Sequence, residues 1–214
     1  MTNAPVPSRS LLFLLVALTA LGEVSTQLII PGLGAIEQAL AAPAGSALMA
    51  LSAFVAAFGL GQLLFGPLSD RIGRRPVLIG GLVLYVLATL SMLLVHDIHQ
   101  FIAARVLQGL GACAALVLAR TVVRDVWKAE AGPALALTMI GMLYAIVVAP
   151  MVGGLLIKLF GWHAPIVLAL VIGSVVLLLA LLFFRESNHY LDPKAGHWRT
   201  LGGQYLDLFK GRQY

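Results

Sequence analysis

The chain has 214 residues, 60% of them hydrophobic and only 11% charged, with a mean hydropathy of +0.98. A soluble domain is about 45–50% apolar and about 25% charged, and one core of this length cannot hide so much apolar surface. A soluble enzyme, a disordered chain and a free nucleic-acid binder are excluded, leaving an all-α membrane protein.

The net charge of +5 does not signal a nucleic-acid partner. Apart from Arg105 and Lys158, every Lys and Arg lies in the terminal segments or in or at the edge of alternate loops, a bias that sets membrane orientation. On that rule both termini face the cytoplasm. The single Cys113 cannot form an intramolecular disulfide.

Six apolar segments are expected as transmembrane helices, at about 11–32, 47–68, 77–95, 100–122, 134–157 and 164–184. Each is near the ~20 residues that a bilayer requires. Residues 1–10 form an N-terminal arm, 11–184 a six-helix bundle and 185–214 a cytoplasmic linker. Ala39-Leu40-Ala41 resembles a small-x-small cleavage site. It lies well past the first apolar stretch, with Glu23, Gln27 and Pro31 between, so the first span is read as retained.

Glu23 falls about 18 Å into the first span at 1.5 Å per residue. An ionised carboxylate there costs about 2.5–3.5 kcal/mol on insertion scales. Such a group lines a cavity, pairs with a cation or carries a proton. A neutral Glu23 hydrogen-bonded between helices is the alternative. Thr19, Glu23 and Gln27 form a stripe at four-residue spacing.

Between the second and third spans the chain reads Gly66-Pro67-Leu68-Ser69-Asp70-Arg71-Ile72-Gly73-Arg74-Arg75-Pro76. Gly73 permits a tight turn, and Pro76 can open the third span as its first helical residue. Asp70 and Arg74 are four apart, within reach of each other on a helix. His96-Asp97-Ile98-His99 follows, with metal-ligand residue types but at most a partial site.

Arg105 lies about 7–8 Å inside the fourth span. It shares a face with Gln108 and Gly109, company that favours the interior over snorkelling, the alternative for a long cation at that depth. The fifth span carries Gly141, Ala145, Ala149 and Gly153, a small-residue ridge on which another helix can pack. Pro150 within it favours a kink. After the sixth span, Tyr205, Leu206, Leu208 and Phe209 make a weakly amphipathic stretch.

The stretch from Gly66 to Pro76 resembles the loop signature G-x-L-x-D-R-x-G-R-R/K-P of major facilitator superfamily transporters. Arg105-Val106-Leu107-Gln108-Gly109 is similar to the family's R-x-x-Q-G motif of helix 4. Ala149-Pro150-Met151-Val152-Gly153-Gly154 is similar to the helix 5 antiporter motif G-P-x-x-G-G, with Ala149 in place of a glycine. Val123-Arg124-Asp125-Val126 and Gly161-Trp162-His163 look like the drug:proton antiporter branch, in its bicyclomycin/chloramphenicol-resistance subfamily. Members commonly carry T-D-x-x-L-P in helix 1, where this chain has Thr26-Gln27-Leu28-Ile29-Ile30-Pro31. Either Glu23 has taken the acidic role or proton coupling differs here.

The resemblance implies the N-terminal bundle of such a transporter, built as 3+3 inverted repeats. Its function would be proton-coupled efflux of drug-like amphiphiles across a bacterial inner membrane, powered by the proton gradient without a cofactor. Proton coupling or substrate contact would fall to Glu23, Gln27, Arg105 and Gln108. A conformational latch would use Gly66, Asp70, Arg71, Gly73, Arg74, Arg75 and Asp125, and the antiporter motif Pro150, Gly153 and Gly154. The implied partners are the bilayer, the substrate and either the C-terminal half or a second copy. A non-transporting half, or a homodimerising membrane subunit, is the alternative. No catalytic set or metal site is expected.

Overall fold

The computed structural model describes residues 8–187. Seven α-helices follow in order: α1 (Arg9–Gln27), α2 (Leu33–Ala39), α3 (Ser46–Ile72), α4 (Arg74–Ser91), α5 (Ile98–Trp127), α6 (Ala131–Phe160) and α7 (His163–Phe183). The expected stretch at Tyr205–Phe209 lies outside the described residues.

Helix starts are set by specific acceptors. Ser8 Oγ accepts from the Leu11 amide at 3.2 Å to begin α1. Asp97 accepts from the His99 and Gln100 amides at 2.8 and 2.9 Å to begin α5. Asp97 of the expected His–Asp–His cluster is therefore a helix cap. Glu37, on short α2, accepts from the Ala47 amide at 2.9 Å and so ties the first connection to the start of α3.

By length and hydropathy, five separate helical stretches among the described residues can cross a membrane, rather than six: Arg9–Ala39, Ser46–Ile72, Arg74–Ser91, Ile98–Phe160 and His163–Phe183. The fourth and fifth expected spans merge because no loop separates them. A 3-10 turn, Lys128–Glu130, links α5 to α6 directly. That stretch of 63 residues would be about 95 Å long if straight, against a hydrocarbon core of about 30 Å. It reverses instead, at Lys128 (φ 49°, ψ −115°), and both α5 and α6 pack on α1.

The expected loop at 69–76 is also shorter than its sequence implies. α3 continues through Pro67 to Ile72, and Gly73 alone separates it from α4, which starts at Arg74. Pro76 is thus the third residue of α4, not the first. Gly73 has φ 105°, a region open to glycine. Pro150 lies inside α6, which continues on both sides of it.

α5 lies at the centre of the bundle, against α3, α4 and α1; α6 packs chiefly on α1, and α7 on α4 and α1. The larger core joins Leu15, Leu18 and Leu21 of α1, Leu78 and Leu82 of α4, and Ala115, Leu118 and Val122 of α5. A second cluster at the opposite end gathers Ile36, Met92, Phe101 and Ile166. The outside is apolar as well: Leu60, Leu63, Met151 and Leu182 are all exposed. Water would not tolerate that surface, whereas lipid does.

The ridge on α6 meets α1. A methyl group at Gly141 would strike Val16, and one at Gly153 would strike the Leu28 carbonyl. Ala145 and Ala149 between them are buried. The antiporter-motif glycines thus bring α6 against the helix that carries Glu23, and Gly154 faces Pro31 just beyond it.

Candidate functional site

The interior site is built on two glycines that follow Gln108. At Gly109 a Cβ would stand 2.6 Å from the Phe54 carbonyl, so α3 approaches α5 backbone to side. At Gly111 it would stand 2.6 Å from the Tyr85 amide nitrogen, and α4 approaches the same way. These contacts bring polar side chains of α1, α4 and α5 into one buried space. Arg105 is in it, 1% exposed.

Arg105 Nη1 donates to Gln108 Oε1 at 2.6 Å and to the Ser25 carbonyl at 3.4 Å. Its guanidinium lies 4.4 Å from the centre of the Phe54 ring, which supplies a cation–π contact. Gln108 Nε2 donates to Thr89 Oγ1 at 2.9 Å. Thr89 in turn donates to the Tyr85 carbonyl at 2.7 Å. The Tyr85 hydroxyl and Ser25 Oγ share a hydrogen bond of 2.5 Å. Arg105 Nη2 is buried without a hydrogen-bond partner among the described residues. A full positive charge is therefore held by neutral acceptors and a ring, with no carboxylate paired to it among the described residues.

Glu23 does not meet Arg105. Ser25 faces the arginine, and Glu23, two residues earlier, points about 160° away around α1. Glu23 and Gln27 are half-buried and make no hydrogen bond among the described residues. Thr19 of the same stripe is buried and donates to the Val16 carbonyl at 2.8 Å and the Thr138 carbonyl at 3.3 Å. An apolar groove of about 360 Å³ between α1, α6 and α7 has Ala20, Val24 and Leu28 in its wall, but neither Glu23 nor Gln27.

The second group of charges sits at the arginine-rich end. Arg74, buried to 8% exposure, donates from Nη1 to Asp70 Oδ1 and Ser69 Oγ, both at 2.5 Å. Its Nε donates to Asp125 Oδ2 at 3.2 Å. One guanidinium thereby links the end of α3 to the end of α5. Arg71 is exposed and has no ion pair among the described residues. Gly66 offers its carbonyl to Ser69 Oγ at 2.8 Å, and a Cβ on it would meet open space.

Several contributors carry no signal in the sequence. Glu186, beyond α7, accepts from the Arg74 amide with Oε1 and the Arg75 amide with Oε2, each at 2.9 Å. Ser187 Oγ donates to Asp125 Oδ2 at 3.3 Å. Ser25, Tyr85, Thr89 and Phe54 are likewise missed. Each looks like an ordinary helix residue until its neighbours are known, although a Tyr or Thr inside an apolar span is a weak prompt to look for a partner.

A profile described as Major Facilitator Superfamily matches residues 12–210. Multidrug resistance protein D of Escherichia coli (strain K12) is 34% identical over 164 residues, which cover 76% of this chain and 42% of that protein. The chloramphenicol resistance protein of Pseudomonas aeruginosa is 36% identical over 146 residues, 67% of this chain and 35% of that one. Among solved structures, the human organic anion transporter MFSD10 (TETRAN) superposes with a TM-score of 0.71 at 19% identity, over 92% of this chain and 53% of that one. That likeness concerns the fold alone. The chain spans less than half the length of these two curated relatives.

Proposed function

Because the chain belongs to the Major Facilitator Superfamily, we propose that it works as one bundle of a proton-coupled exporter of small, largely apolar compounds. The names of its relatives support the substrate class, since both are drug-resistance proteins. Glu23 carries the reading. It is a half-buried carboxylate in the middle of an apolar helix, without a hydrogen bond among the described residues.

Glu23 takes up a proton when its side of the bundle is closed and releases it when that side opens to water. Gln27, one turn on, lies on the same half-exposed stripe and contacts substrate there. Arg105, fixed by Gln108, Ser25 and Phe54, acts from behind α1 as a stationary positive field rather than as a substrate ligand. Its 1% exposure leaves no room for direct contact in this state. The proton gradient supplies the energy, and no cofactor is assigned.

Arg74, with Asp70 and Asp125, is the latch that holds α3, α4 and α5 together at the cytoplasmic end. A difference of a few kcal/mol between states suffices to shift their populations. The other cavity wall comes from a second bundle, either a C-terminal half or another copy of this chain. The setting is a bacterial inner membrane.

The test is dye efflux from proteoliposomes under an imposed pH gradient, wild type beside Glu23→Gln. Gradient-driven efflux that is lost in Glu23→Gln, with helix content unchanged, is the expected result. Wild-type efflux from the variant would remove Glu23 from the proton path. A folded wild-type chain that moves no dye would show that one bundle is insufficient.

A further inference from the structure

The first turn of α4 has a complete donor account, and half of it depends on a residue more than a hundred positions away. The opening amides of a helix have no partner within it. Here the Gly73 amide donates to the Ser69 carbonyl at 3.0 Å, and Pro76 has no N–H. Arg74 and Arg75 donate to the two oxygens of Glu186. The carboxylate also sits at the positive end of the helix dipole.

Two more contacts tie α4 and α5 to the end of α7 and the residues that follow it. Arg75 Nη2 donates to the Leu181 carbonyl in the last turn of α7 at 3.2 Å. Ser187 Oγ reaches Asp125, on the very oxygen that Arg74 Nε also uses. Gly73 fits this arrangement twice. Its φ of 105° favours glycine, and a Cβ there would stand 2.8 Å from Glu186 Oε2. The motif glycine thus clears the space that the carboxylate fills. Phe184, 2% exposed in the main core, anchors the segment from the other side.

We propose that residues 184–187 are a strap that closes the Arg74–Asp70–Asp125 cluster, so that the cluster opens only when the chain leaving α7 is lifted. Glu186 is the clasp: it caps α4 and keeps Arg74 aimed at its two carboxylates. Ser187 fastens the same segment to α5. Lifting of residues 184–187 is thereby transmitted to the latch without contact with the cavity. The strap builds on the latch reading above but adds a trigger to it.

The test is amide hydrogen exchange by mass spectrometry on the 214-residue chain in nanodiscs, wild type against Glu186→Ala. Exchange at 74–75 should rise roughly tenfold or more, as expected when a charged acceptor is lost. The strap further requires faster exchange at 121–127, around Asp125. A rise confined to 74–75 would reduce Glu186 to a local cap and overturn the strap. If Glu186→Ala does not fold, Glu186→Gln, which keeps one acceptor oxygen, should show the same two segments moving by a smaller factor. Exchange does not depend on transport, so a failed strap and a failed latch are read separately, the latter by Asp70→Asn.

Discussion

Arg105 and Gln108 are joined one helical turn apart on α5 by a hydrogen bond of 2.6 Å, with both side chains fully enclosed. Gln108 also donates to Thr89 of α4, so a single amide orients the guanidinium and ties two helices. A buried charge satisfied only by neutral groups is poor value for stability.

That gives the first prediction. Arg105→Met fills a similar volume and removes the unpaired charge, while leaving Gln108 Oε1 without its donor. The two effects oppose, and the net change in thermal stability in detergent should fall within about 1 kcal/mol. Gradient-driven efflux should be lost. A destabilisation above about 3 kcal/mol would show that the arginine is chiefly a structural tie. Retained efflux would remove it from the transport site.

Gly109 and Gly59 make a matched pair for the second. A methyl group at Gly109 would stand 2.6 Å from the Phe54 carbonyl, whereas one at Gly59 meets nothing within 4 Å. Gly109→Ala must push α3 away from α5 and should cost about 1–3 kcal/mol, the usual range for overpacking. Gly59→Ala should not destabilise the chain. Equal melting behaviour of the two variants in detergent would contradict the close α3–α5 approach.

The third concerns the latch. Asp70 is half-exposed, at 48% for its side chain, so its pairing with Arg74 adds little to stability in water. Asp70→Asn keeps the shape and an acceptor oxygen but removes the charge. Melting should be unchanged, while a cysteine placed at position 27 should gain or lose reactivity toward an aqueous thiol reagent as the balance of states shifts. No change in either that reactivity or efflux would disprove the latch.

Local physics made part of this legible early. The i,i+4 spacing of Asp70 and Arg74 needs only a helix to bring them together, and α3 runs far enough to supply most of one. Arg105 and Gln108 meet for the same reason. The glycine offsets of the α3–α4 turn likewise pointed to a tight link, although not to one of a single residue. Pro76 looked like a helix start because nothing nearby announced that Glu186 would cap Arg74 and Arg75 two residues earlier.

Composition and short-range spacing alone determined that this chain is helical, lives in a bilayer and carries most of its cations in its terminal segments and alternate loops. Only the tertiary structure decided which polar residues meet. In lipid, the residues that face outward and those that face the core are equally apolar, so hydrophobic periodicity does not mark the inner face of a helix. Glu23 and Arg105 are the acid and the base that the first and fourth spans carry, yet it is the Ser25 carbonyl that accepts from the arginine. The clasp of Glu186 on α4 and the small-residue contact of α6 with α1 are of the same kind. Each depends on backbones that approach across long stretches of chain, a property of the packed bundle.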